Sequence, residues 1–169
     1  LVVRSGRLAL TLLRRSEDGG IHSGQIALPG GACEPSDPDV TATALREAEE
    51  EVGLPAASVR VLGMLDDTAT ISQFVVTPVV AVVMDPPMYR PDPWEVQEVF
   101  EVPLDFLLEP ANEESAPDAE FLGRVYPMWR YVHEGHVIWG VTARILHEFI
   151  DLARSAAHDP IPEPPDAPG

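Results

Sequence analysis

Apolar and polar positions alternate along most of this chain in short runs, interrupted by two stretches with helical periodicity. Leu8 to Leu13 and Ile26 to Leu28 read as strands, and Val59 to Leu65 and Phe74 to Met84 are rich in β-branched residues. The last of these is long enough for a central strand, with a bend at Pro78. Asp85-Pro86-Pro87 marks a turn, after which Glu95 to Pro103 alternates into a short helix at Leu104 to Leu108. Val125 to Trp129 and Tyr131 to Ile138 read as a hairpin turning at Glu134-Gly135. Gly140 to Ala156 is an amphipathic helix with Ala143, Leu146, Phe149, Ile150 and Ala153 on one side. Strands interleaved with helices, and no internal repeat, predict a single α/β domain.

The remaining helix, from about Pro38 to Val52, carries the chemistry. At about 100° per residue, Glu47, Glu50 and Glu51 share one face, and Ala44, Ala48, Thr41, Val52 and Leu45 form an adjoining apolar stripe. Gly53 supplies a left-handed cap and Pro55 blocks continuation. Carboxylates at a helix C-terminus oppose the macrodipole, at about 0.3–1 kcal/mol each, and repel one another across i,i+4. Arg46 is the only cation in the segment, so the simplest source of the missing positive charge is a divalent metal. Upstream, Leu28-Pro29-Gly30-Gly31 follows an apolar run, and a glycine pair can present bare carbonyl oxygens. The resulting all-oxygen donor set suits Mg²⁺ or Mn²⁺ bound to substrate phosphates and excludes a closed structural zinc site.

The stretch Gly31 to Leu54 resembles the Nudix box of the Nudix hydrolases. Its second half, Arg46-Glu47-Ala48-Glu49-Glu50-Glu51-Val52-Gly53-Leu54, matches at every fixed position. In the first half Asp37 stands where the family has Glu, and eight residues rather than seven separate it from Arg46. Ahead of the box, Thr11-Leu12-Leu13-Arg14-Arg15-Ser16 and His22-Ser23-Gly24-Gln25-Ile26-Ala27-Leu28-Pro29-Gly30-Gly31 look like the motif of the coenzyme A diphosphatases. Arg15, Ser16, Gly24 and Pro29-Gly30-Gly31 fall in register. Leu13 replaces Thr, Gly20 replaces a second Arg and Leu28 replaces Phe. The Ala42-Thr43-Ala44-Leu45 and Trp139-Gly140-Val141-Thr142-Ala143 runs also look like that subfamily.

The resemblance implies a Nudix-type α/β/α sandwich with a mixed central sheet, and hydrolysis of coenzyme A or its thioesters at the diphosphate. It implies metal ligation by Glu47, Glu50, Glu51 and the Gly30 carbonyl, with Arg15, Ser16 and Gly24 at the substrate. Arg46 is expected to hold a neighbouring carboxylate in its ligating rotamer. A general base is also needed: Glu50 or another box Glu, or a later carboxylate, Glu95 or Glu98. His22, His133, His136 and His147 lack metal-ligand spacing with the box and read as surface or core residues.

Charge and composition narrow the partners. The 169 residues carry 11 basic and 28 acidic side chains, a net charge of −17. Such a surface repels a nucleic-acid backbone and anionic lipid, leaving a small anionic substrate met by local cations. Arg4, Arg7, Arg14 and Arg15 concentrate positive charge near the start of the chain and form a candidate phosphate-facing patch. No run is long and apolar enough to span a bilayer, and the single cysteine, Cys33, fits a reducing cytoplasm. The domain is expected over residues 1–157, as monomer or homodimer. Five prolines among the last twelve residues predict a disordered tail over 158–169. Two other functions remain open: hydrolysis of another nucleoside diphosphate derivative such as ADP-ribose, and a non-catalytic nucleotide sensor. The intact glutamate triad argues against the sensor, because a pure binding module has no reason to hold repelling carboxylates together.

Overall fold

A computed structural model describes residues 1–17, 23–70, 74–121 and 124–158. The fold grows from the second strand, β2 (Arg7–Arg15), which pairs antiparallel with β1 (Val2–Arg4) and β3 (Ile26–Ala27) along one edge and with β8 (Val96–Pro103) along the other. Its period-2 alternation feeds two cores. Leu10 and Leu12 pack on one face with Val102, Leu107, Tyr131, Ile138, Ala143, Leu146 and Ile150. Leu13 packs on the other with Val52, Leu54 and Val96.

Those partners define the layers. Helix α1 (Val40–Val52) covers the Leu13 face. Helices α2 (Leu104–Leu108) and α3 (Gly140–His158) cover the Leu12 face, giving helix, sheet and helix in order. β4 (Arg60–Met64) and β7 (Val79–Val82) form an antiparallel ribbon. A parallel bridge between Val2 and Val83 joins this ribbon to β1, so the pairing is mixed, as expected. A small pair, β5 (Thr68–Ala69) with β6 (Val75–Val76), lies between them in sequence. β9 (Glu113–Phe121), β10 (Arg124–His133) and β11 (His136–Ile138) make a separate antiparallel sheet.

Two expectations need correction. Phe74 to Met84 is not one central strand: the chain breaks at Thr77-Pro78, where proline has no N–H to donate and instead its carbonyl accepts from Leu65 (2.9 Å). Residues 71–73, just before it, lie outside the described set. The terminal hairpin does turn at Glu134-Gly135, but Val125 to His133 belongs to one strand, with no break at Arg130. Its other neighbour, β9, is acid-rich and contains Pro117, so no apolar alternation announces it. Pro117 falls at the register shift between Tyr126 and Met128, where the ladder requires no donor from it. The expected tail beyond His158 lies outside the described residues.

Helix α1 starts at Val40, two residues later than the expected Pro38. Asp39 caps it, accepting from the Ala42 N–H (2.8 Å). Gly53 (φ +72°) ends it as expected, with its own N–H on Glu49 O and the Leu54 N–H on Ala48 O. The buried face holds Thr43, Glu51 and Val52, whereas Thr41 and Leu45 are only partly covered. Gly53 also touches the loop before β8: a Cβ there would lie 2.9 Å from the Arg90 Cβ. Gly53→Ala combines that clash with a left-handed backbone. Denaturant unfolding of this variant is expected to show a loss of about 1–3 kcal/mol.

Candidate metal and phosphate site

The site forms where the β3–α1 loop crosses the end of α1. Glu51 is 1% exposed. Its Oε2 accepts the Gly30 N–H (2.8 Å), and its Oε1 accepts from the Arg15 guanidinium (3.3 Å). Burial pushes the Glu51 carboxyl up to about 6, against the lowering pull of the Gly30 N–H and Arg15, and Glu47 and Glu95 add like charge. Part of the positive charge missing from the helix is thus supplied by β2, a strand distant in sequence.

Arg46 organises the rest. It donates to Glu47 (3.0 Å) and to Glu50 (2.8 Å), and through Nη2 to the Ala32 carbonyl (3.1 Å). It also meets Asp37 with two bonds of 3.1 Å each. Asp37 further accepts from the Thr43 hydroxyl and the Glu34 N–H, both at 2.9 Å. These donors, the Arg46 bond first, hold the Asp37 carboxyl down at about 2. The aspartate that departs from the family pattern therefore ties the loop to the helix, a role the sequence did not assign. Gly31 is needed for close approach: a Cβ there would overlap the Glu47 carboxylate.

Glu47 and Glu51 are shielded, whereas the Glu50 side chain is 60% exposed. The donor chemistry is all carboxylate oxygen around a buried, charge-opposed Glu51, which fits a hard divalent cation. Among the described residues no three His, Cys, Asp or Glu side chains yet stand close enough to hold a metal. Arg46 bonds one oxygen of each neighbour, Oε1 of Glu47 and Oε2 of Glu50.

Other expected site residues are dispersed by strand alternation. Arg14 and Arg15 point to opposite faces of β2. Arg14 faces Glu98 (3.6 Å), and Glu98 also bonds His136 Nε2 (3.1 Å), whose ring stacks on Phe100. The His136 bond, offset in part by burial, holds the Glu98 carboxyl below its usual range. Glu98 thus lies across the sheet from Glu51. Glu95 is the later carboxylate that acts on Glu51, and its carbonyl accepts the Ser16 N–H (2.8 Å). Arg4 belongs to a separate group, bonding Glu101 (2.6 Å) beside Tyr89. Gly24 has φ +68° near Glu17. His133 packs on Phe106, and His147 stacks on Trp129 between Glu113 and Asp151. Gly20 and His22 lie outside the described residues.

A raised Glu51 pKa destabilises the fold once that group ionises, so its contribution is favourable below the ordinary carboxyl range and is lost as pH rises through about 6. In metal-free buffer, the melting temperature of the wild type relative to Glu51→Gln is expected to fall between pH 4.5 and 6.5. Parallel pH profiles for the two proteins would contradict this assignment.

Residues 1–125 match the NUDIX domain family. The chain is 41% identical over 141 residues to an uncharacterized Nudix hydrolase, NudL, of Pectobacterium atrosepticum, covering 82% of this chain and 72% of that protein. It is 38% identical over 158 residues to NudL of Escherichia coli O1:K1 / APEC, covering 87% and 76%. Among solved structures it is similar in fold to RenU, a Nudix hydrolase from M. smegmatis, with TM-score 0.58, 23% identity and coverage of 96% of this chain and 84% of that one. The MutT protein from Methanosarcina mazei Go1 gives TM-score 0.56 and 20% identity, covering 91% and 90%. Among the described residues no helix is long and apolar enough to cross a membrane. Members of this family act on small nucleotide-derived substrates and generally use divalent metal ions. With its box helix, glycine loop and sandwich in place, the chain belongs to the Nudix hydrolase family.

Proposed function

We propose that the protein is a metal-dependent coenzyme A diphosphatase, cleaving coenzyme A or its thioesters to 3′,5′-ADP and 4′-phosphopantetheine. One contact carries the reading. Arg15, from the motif that resembles the coenzyme A enzymes, lies 3.3 Å from Glu51 of the box, so substrate motif and hydrolytic motif border one another.

Glu47, Glu50, Glu51 and the Gly30 carbonyl are the groups that would hold Mg²⁺ or Mn²⁺. Bound there, the cation supplies neutralisation of the diphosphate charge and a lower pKa for a water. Arg46 keeps Glu47 and Glu50 in place, and Arg15, Ser16 and Gly24 line the substrate side. Glu50, exposed and held by Arg46, is the proton acceptor assigned here in place of Glu98, which lies across the sheet. The exposed Cys33, the only cysteine, suits a cytoplasmic enzyme. Gly20, standing where the related motif has arginine, favours a second reading, a Nudix hydrolase of another nucleoside diphosphate derivative such as ADP-ribose.

A hydrolysis panel over coenzyme A, 3′-dephospho-coenzyme A, ADP-ribose, NADH and diadenosine polyphosphates, with Mg²⁺ and with Mn²⁺, separates the readings. Coenzyme A is expected to give the highest kcat/KM, ahead of its dephospho form. Equal values for that pair, below ADP-ribose, would transfer the assignment to the second reading. On the preferred substrate, Arg46→Ala is expected to lower kcat about 10- to 100-fold, as loss of a ligand-orienting partner does.

A further inference from the structure

The segment joining β7 to β8 displays Met88 and Trp94, 86% and 85% exposed and the most exposed large apolar side chains described. Trp94 is nevertheless on a fixed backbone. Asp92 accepts the Trp94 N–H on Oδ1 (2.8 Å), and its carbonyl accepts the N–H groups of Glu95 (3.2 Å) and Val96 (2.8 Å). Pro91 and Pro93 restrict φ on either side of Asp92.

The same segment is tied to the site at both ends. The Asp92 N–H donates to the Glu51 carbonyl (3.1 Å) and the Arg90 N–H to the Val52 carbonyl (3.0 Å). One residue beyond the tryptophan, the Glu95 carbonyl accepts the Ser16 N–H. The backbone that carries the indole is therefore held between an anchor on the main chain of the buried glutamate and an anchor on the residue that follows the Arg15 strand. Trp129, by contrast, is already stacked on His147. An exposed indole on an anchored backbone, one residue from the Glu95 that acts on Glu51, offers a π face to a planar base.

The geometry points to Trp94 as the stacking platform for the nucleobase of the substrate. This rests on the reading of the site as a nucleotide diphosphatase, but it needs only the base, which coenzyme A and ADP-ribose share.

The test is calorimetric binding of 3′,5′-ADP, AMP and ribose 5-phosphate to the full chain, in metal-containing buffer. Trp94→Ala is expected to weaken both nucleotides by about 5- to 100-fold, with ribose 5-phosphate unchanged. Trp94→Phe should retain most of the affinity, whereas Trp94→Leu, apolar without a π face, should behave like alanine. AMP should also quench the wild-type tryptophan fluorescence, and Trp94→Phe should lose that quench. Should Trp94→Ala misfold, the Phe and Leu variants decide by the same comparison. Unchanged nucleotide affinity in Trp94→Ala, an equal loss for ribose 5-phosphate, or a wild type that binds neither nucleotide would overturn the proposal. So would a variant that changes only the oligomeric state, which would make Trp94 a contact between copies. A failure of coenzyme A preference in the hydrolysis panel leaves these binding differences intact, so the two readings fail separately.

Discussion

A carboxylate buried at the negative end of a helix dipole is the constraint around which this structure is built. Glu51 loses its hydration and sits in the last turn of its helix, where the dipole is negative, and both disfavour its charge. Two groups offset that cost, the Gly30 N–H and the Arg15 guanidinium. Each comes from a different strand or loop. Burying Glu51 therefore fixes where the glycine loop crosses the helix and where β2 ends. The offset is incomplete, as the carboxyl pushed up to about 6 records. That residual deficit of positive charge is the physical basis for reading the site as a cation site.

Arg46 solves the complementary problem on the exposed side. Glu47 and Glu50 would repel each other and Glu51, and one guanidinium spans both while its other edge grips Asp37 and the Ala32 carbonyl. The helix, the loop ahead of it and the carboxylates thus share one hub. On the other side, the segment ahead of β8 docks on the Glu51 and Val52 carbonyls, using acceptors that the helix end leaves free. Three connections meet at one turn of α1.

Local rules made much of this legible. The wheel placed Glu47, Glu50 and Glu51 on one face, the glycine cap was readable at Gly53, and the alternation of β2 and β8 was plain. Depth was not readable: a wheel gives direction, so it could not say that Glu51 is sealed while Glu50 stands out. Period 2 did contain the separation of Arg14 from Arg15, and applying it would have divided the arginine patch in advance. Asp37 was obscured because its reach to Arg46 depends on how the loop folds. The partner of Glu98, His136, comes from β11, 38 residues away, and no local spacing reports that contact. β9 carried no apolar signal because its partners select it, not its own propensity.

Metal binding to a carboxyl whose pKa is raised by burial displaces the proton it holds. Calorimetric titration with Mn²⁺ at pH 6, in two buffers of different ionisation enthalpy, measures that release directly. The account predicts proton release on Mn²⁺ binding to the wild type, because burial raises the Glu51 carboxyl, and a clearly smaller release from Glu51→Gln. Saturable Mn²⁺ binding without proton release, or with the same release in Glu51→Gln, would contradict a cation held by Glu51.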